Sequence, residues 1–174
     1  MALEAKVEFG TARQSIEADS DFSLRTKDKD LKRVDLACGA TKKEGFVGID
    51  MHEAEGVDIV HNLLQFPWPF EDDEIYEFNC EHFVEHIPHQ IPGTDKDGFF
   101  AFFEEVYRCL MPGGTIRVTT PYYTSMETYQ DPTHVRAICE RTYSYLDAKT
   151  MAKFKLSHYT PKVNFDVISR IFKL

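Results

Sequence analysis

The 174-residue chain has no apolar run approaching the roughly 20 residues that a membrane-spanning helix needs. Its N-terminus also lacks a basic segment followed by an apolar one. Neither membrane insertion nor secretion is expected, and a cytoplasmic protein is. Cysteine is sparse: Cys38, Cys80, Cys109 and Cys139 lie far apart, and none belongs to a Cys-x-x-Cys pair. Free thiols in a reducing compartment are therefore expected, although Cys38 and Cys80 both fall at the ends of expected strands. Positive charge is in deficit, with 20 Lys and Arg against 29 Asp and Glu and a net charge of -9. Gripping a nucleic-acid backbone needs a basic face. Here Arg13, Arg25, Lys27, Lys29, Lys32 and Arg33 are interleaved with acids, which favours small or neutral ligands. Internal repeats and low-complexity tracts are absent. So is Gly-x-Gly-x-x-Gly after the first expected strand, which ranks a dinucleotide oxidoreductase low.

What is present is a composition able to build one core, 43% hydrophobic and 28% charged. Residues 1–30 are polar and weakly periodic and read as an arm, packed over the sheet or a cofactor, or partly mobile. Within it Ala12 to Ala18 is a short helix candidate and Thr26 to Asp30 a solvated loop. Residues 31–174 read as a single domain. Apolar runs predict strands at Arg33 to Ala37, Phe46 to Asp50, Val57 to His61 and Ile75 to Cys80. Phe66-Pro-Trp-Pro-Phe70 is a rigid loop, and Pro88 ends a single helical turn after the fourth strand.

Thr94-x-x-Asp97 resembles a capping box for a helix over Gly98 to Leu110. Phe99, Phe102, Phe103, Val106 and Leu110 recur there at steps of three and four, giving one face to a sheet. Pro112-Gly113-Gly114 stops that helix, and Thr115 to Thr120 is a fifth strand. Tyr122 to Arg136 is an aromatic, polar loop. A helix over Arg141 to Met151 follows, then strands at Phe154 to Tyr159 and Phe165 to Phe172 that form an antiparallel C-terminal edge. The alternation predicts an α/β, doubly wound, mostly parallel sheet.

The stretch from Lys32 to Asp50 is the most informative. A strand ends in the small-residue turn Asp35-Leu-Ala-Cys-Gly-Ala40, and a second strand, Val47-Gly-Ile-Asp50, ends in an acid. Small residues let a nucleoside approach the backbone, and an acid at a strand end can hold a ribose diol. Between Ala37 and Phe46 too few residues remain for a full crossover helix, so that helix is expected to shrink to a turn. If the turn leaves a sheet face bare, the N-terminal arm or a second copy of the chain, as a homodimer, should cover it.

From Lys32 to about Asp147 the sequence resembles the class I S-adenosylmethionine-dependent methyltransferases. The segment starting at Asp35 stands in the place of the family's Asp/Glu-x-Gly-x-Gly-x-Gly, and Leu110-Met-Pro-Gly-Gly-Thr-Ile-Arg-Val118 stands where the fold turns from a helix into its next strand. Gly39 matches, whereas Ala37 and Thr41 occupy positions that are usually glycine. The resemblance implies a Rossmann-like fold and S-adenosyl-L-methionine as cofactor. It also implies a site built from Asp35, Ala37, Cys38, Gly39, Asp50, Met51, Asn62, Leu63, Cys80, Glu81 and His82. Asp50 would take both ribose hydroxyls, with Met51 against the adenine. Asn62 stands where the family often has an acid toward the adenine amine, and its amide oxygen can accept the same hydrogen bond. Cys80, Glu81 and His82 follow the fourth strand, where family members contact the methionine part.

The acceptor belongs beyond the carboxyl ends of strands four and five. His134, in Asp131-Pro-Thr-His-Val-Arg136, is the candidate general base, and the alternative is a structural loop histidine. Tyr122 and Tyr123 are candidate pocket walls, and His86 and Arg136 candidate acceptor contacts. The Asp-Pro-x-His segment resembles one in related methyltransferases of sugars or small metabolites, so a small-molecule or sugar acceptor is expected. His82-Phe-Val-Glu-His86 also spells His-x-x-Glu-His, an inverted zinc-peptidase signature. The short turn before Pro88 and the missing third ligand count against it, so no metal is expected. The main rival is a non-catalytic subunit that binds S-adenosylmethionine or S-adenosylhomocysteine and transfers nothing.

Overall fold

The computed structural model describes residues 4–11 and 31–173, apart from positions 140, 157 and 160. The helix expected over Ala12 to Ala18 and the loop over Thr26 to Asp30 lie outside the described residues. The strands are β1 (Glu4–Thr11), β2 (Arg33–Leu36), β3 (Val47–Asp50), β4 (Ile59–Val60), β5 (Ile75–Glu81), β6 (Leu110–Pro121) and β7 (Phe165–Lys173). They form one seven-stranded sheet in the order β4-β3-β2-β5-β6-β1-β7. From β4 to β6 every pairing is parallel. β1 then runs antiparallel to both β6 and β7, so the C-terminal strand is an antiparallel-paired edge.

Alternation of side chains decides which face is the core. Ala5, Val7 and Phe9 in β1, Val34 and Leu36 in β2, Ile49 in β3, Phe78 and Cys80 in β5, and Ile116 and Val118 in β6 are all buried. Against the core packs α1 (Gly98–Cys109), whose Phe99, Phe102, Phe103 and Val106 are buried, as their spacing predicts. Trp68 lies beneath it, fully buried, edge-on to Phe102 at 5.5 Å between ring centroids, with its indole N–H donating to the Leu63 carbonyl at 3.0 Å. A fully buried phenylalanine stabilises by about 1.5–3 kcal/mol, so this aromatic layer is the principal source of cohesion.

The opposite face is polar. Arg117 Nη1 is 2.7 Å from Glu77 Oε1 and its Nε 3.5 Å from Glu8 Oε2, an ionic row across β5, β6 and β1. The β2–β3 crossover contains no helix, as its length predicts, and neither do the next two connections. The crossover instead folds back on the sheet. Asp35 Oδ2 accepts from Lys43 N–H at 2.7 Å, Asp35 Oδ1 accepts from the Asn79 amide at 2.8 Å, and Lys43 Nζ reaches Asn79 at 3.3 Å.

Several elements differ from the sequence-based expectation. Residues 4–11, assigned to the polar arm, are an interior strand. Thr94 does not cap α1. The cap is Asp97, whose side chain accepts from Phe100 N–H at 3.1 Å, while Thr94 closes the preceding turn onto the Ile91 carbonyl. The helix expected over Arg141 to Met151 is divided into a 3-10 turn (Thr142–Leu146) and α3 (Ala148–Lys153), which follow the short helix α2 (Glu127–Gln130). Asp147 makes the division because its carboxylate caps α3 through Lys149 N–H at 2.8 Å. Phe154 to Tyr159 is not a strand. Its backbone N–H groups go to local turns, with Phe154 donating to Thr150, Lys155 to Ala152 and Tyr159 to Leu156.

Candidate functional site

The carboxyl ends of β2 and β3 meet over one turn. Ala37 and Gly39 both have left-handed backbone, with φ of +53° and +57°. Only glycine adopts this without strain, so Ala37 stores of the order of 1 kcal/mol. The turn is held from the next strand. Asp50 Oδ2 accepts from Gly39 N–H at 3.1 Å, and Asp50 Oδ1 accepts from His52 N–H at 3.0 Å. Two backbone donors thus fix a half-buried carboxylate at the rim of the sheet, with lone pairs left over for hydroxyl donors. Gly48 permits this close assembly. A Cβ there would meet the Gly56 carbonyl oxygen at 2.2 Å and Cys38 Sγ at 2.8 Å.

Negative charge gathers at this rim. Burial, with Asp35, Asp50 and Asp58 nearby, pushes the Cys38 thiol up to about 11. Asp58 itself is held below the usual carboxylate range by Lys42 and by Gly48 N–H. Such a field suits a cationic ligand and keeps Cys38 protonated at neutral pH.

The expected cofactor residues divide into two groups. Asp35, Ala37, Cys38, Gly39 and Asp50 are brought together by β2 and β3, and Met51 follows, 55% exposed. Glu81, the last residue of β5, accepts from Asn79 at 3.5 Å. Leu63 and Cys80 instead turn into the core, at 3% and 0% exposure, so neither side chain lines the rim. Asn62 Oδ1 already accepts Leu64 N–H at 2.9 Å. His82, with φ of +52°, contacts Glu85 Oε1 through Nδ1 at 3.3 Å and Glu4 Oε1 through Nε2 at 3.6 Å. The Glu85 hydrogen bond raises its pKa, against the opposing effect of burial.

Past β5 and β6 a second group assembles. A 3-10 turn (Val84–His86) carries Glu85 and His86. The loop after β6 returns to it, with Val135 and Arg136 N–H both donating to the Glu85 carbonyl, at 2.9 and 3.2 Å. His134 and His86 consequently stack edge to face, 4.6 Å between centroids. Tyr122 and Tyr123 pack at 4.8 Å, and Tyr123 is 42% exposed beside the exposed Met126 and Tyr129. Arg136, a candidate acceptor contact, is bonded to backbone here. Its Nε and Nη2 donate to the Ile87 and Pro88 carbonyls at 2.9 Å each, clamping the loop to the end of the 3-10 turn.

Two features were invisible to sequence spacing. The first is the protonation pattern of the histidines. His134 Nδ1 lies 3.2 Å from the Thr128 carbonyl, which can only accept, so Nδ1 carries the proton and Nε2 keeps its lone pair. Thr133 Oγ1 donates to Asp131 at 2.7 Å, so it accepts from His86 Nδ1 at 3.0 Å, and in the neutral ring Nε2 of His86 is likewise the acceptor nitrogen. Hydrogen bonds from Thr133 hold Asp131 ionised, below the usual carboxylate range. The second feature is the burial of Glu85, the acid of the His-x-x-Glu-His stretch, whose side chain is 2% exposed.

In sequence comparison no family profile and no curated protein matches the chain. Structural comparison is informative. A crystal structure of a SAM-dependent methyltransferase from Archaeoglobus fulgidus aligns at 21% identity and a TM-score of 0.50, covering 79% of this chain. The chain spans 64% of the length of that protein. A complex between the Haloferax volcanii Trm112 methyltransferase activator and a protein assigned as a methyltransferase aligns at 15% identity and a TM-score of 0.47. That match covers 72% of this chain and 61% of the other. The architecture is the Rossmann-like fold of the class I S-adenosylmethionine-dependent methyltransferases.

Proposed function

We propose that this chain is an S-adenosylmethionine-dependent methyltransferase that methylates a small molecule or sugar, in the cytoplasm. The observation that carries the reading is Asp50. A carboxylate fixed by Gly39 and His52 N–H stands at the end of β3, across a left-handed turn of small residues. That placement suits the 2′- and 3′-hydroxyls of an adenosine lying over the turn. The acidic rim complements the positive sulfonium. No helix among the described residues is long and apolar enough to cross a membrane.

Transfer is an in-line displacement. The S–CH3 bond breaks as the acceptor–CH3 bond forms, the sulfonium becomes a neutral thioether, and the acceptor gives up one proton. Alignment supplies most of the acceleration, and a base is needed for a hydroxyl acceptor. The proposed base is His134, whose Nε2 is the acceptor nitrogen of the neutral ring and which stacks on His86 beyond β6. Tyr122 and Tyr123 wall the same side. Cys38, kept as a thiol, does not intercept the methyl group, because only the thiolate is a strong nucleophile.

Asp50→Ala is expected to weaken S-adenosylhomocysteine binding at least tenfold in isothermal titration calorimetry. Unchanged affinity would place the ribose elsewhere and remove the reading's main support. The non-catalytic alternative predicts cofactor binding with no methylated product across a broad acceptor screen.

A further inference from the structure

We infer that Glu85, His86 and His134 form a binding site for a divalent transition-metal cation on the acceptor side of the rim. A ring nitrogen of each histidine and a carboxylate oxygen of Glu85 all lie within 4.8 Å of one another. Tetrahedral donors with bonds near 2.1 Å stand roughly 3.4 Å apart, so side-chain shifts of about 1 Å by His86 and by the nearly buried His134 close the set.

Three independent features point to a cation rather than to packing alone. Glu85 is nearly inaccessible, and its Oε2 has no hydrogen-bond partner among the described residues. A buried carboxylate oxygen without a donor is costly, and a cation satisfies it. Its other oxygen is engaged by His82 Nδ1 at 3.3 Å, which fixes the carboxylate's orientation. Both imidazoles are held in the tautomer a metal requires. His134 Nδ1–H points to Thr128, His86 Nδ1–H points to the Thr133–Asp131 pair, and each Nε2 lone pair is free. Outer partners of this kind orient ligating histidines and raise their basicity. Asp131 Oδ2, 3.9 Å from His134 Nε2, adds a further negative charge.

Two imidazoles and one carboxylate select zinc, iron, cobalt or manganese over magnesium or calcium, which prefer all-oxygen sets. Three protein ligands leave coordination positions open to a ligand from outside. The use of those positions rests on the methyltransferase reading. An acceptor hydroxyl bound there would lose its proton to water more readily, and its oxygen would then take the methyl group as the sulfonium becomes a thioether. In the loaded protein His134 would act as a ligand and the cation would do the work assigned above to a base.

The test is titration of Zn2+ into protein stripped with a chelator, followed by calorimetry, with Co2+ absorption as a second readout of ligand geometry. One site per chain is expected. His86→Ala and His134→Ala should each lower Zn2+ affinity at least tenfold, and Thr133→Val, which removes only an outer hydrogen bond, should lower it less. Zn2+ should also raise the thermal midpoint of the wild type and not of His134→Ala, which separates lost ligation from lost folding. No binding, or binding unchanged in both histidine variants, overturns the site. S-adenosylhomocysteine affinity measured on the same metal-free protein separates the two conclusions. Zinc bound without the nucleoside upholds the site and overturns its use in methyl transfer, whereas the nucleoside bound without zinc overturns the site alone.

Discussion

At the scale of single residues the rim is governed by what each polar group is already bonded to. Asp50 stands out in the sequence as an acid ending an apolar strand, and the structure shows it holding Gly39 and His52 N–H at the rim. Asn62 is less plain than its position implies, since its oxygen already accepts from Leu64 N–H and has one lone pair left for an adenine amine. Arg136 was read as an acceptor contact because charge is visible in a sequence and backbone carbonyls are not. Cys38 gives a direct check on the field at the rim. Burial and the surrounding aspartates raise its pKa, so less thiolate exists at any given pH. Iodoacetamide labelling followed by mass spectrometry at pH 8 should modify Cys38 more slowly than the comparably exposed Cys139, and Asp50→Asn should speed it. Equal rates for the two thiols would mean that the aspartates do not act on Cys38.

At the scale of elements, periodicity served well where it was long. The three- and four-residue steps from Phe99 to Val106 named the core face of α1 correctly. Boundaries depended on side-chain geometry that spacing does not specify. On paper Thr94 and Asp97 form a capping box led by Thr94, and in the structure it is Asp97 that reaches the helix. In urea melts, Asp97→Ala is expected to cost about 1 kcal/mol, and Thr94→Ala to stay within about 0.5 kcal/mol. Equal losses would return the cap to Thr94. β1 was missed because its alternation, Ala5, Val7 and Phe9 inward with Lys6 and Glu8 outward, lies in a segment whose average is polar. The alternation was the signal that could have found it.

At the scale of the whole molecule, the fold brings together groups the sequence keeps far apart. Glu85 and His134 are separated by almost fifty residues, and the hydrogen bonds from Val135 and Arg136 to the Glu85 carbonyl make them neighbours. The proposed cofactor half of the candidate site is local, carried by two adjacent strands and the turn between them, so its residues stand close in sequence as well as in space. The acceptor half is assembled from the ends of β5 and β6 and was readable only as separate histidines. A sheet without a helix in its first crossover keeps the rim of β2 and β3 in place through the bonds among Asp35, Lys43 and Asn79.

The most direct measurement is a crystal structure of the protein grown with S-adenosylhomocysteine. The expected result is a nucleoside lying over Ala37 to Gly39 with both ribose hydroxyls on the Asp50 carboxylate. Density for the nucleoside elsewhere, or Asp50 still bonded to Gly39 and His52 alone with the rim empty, would contradict the account.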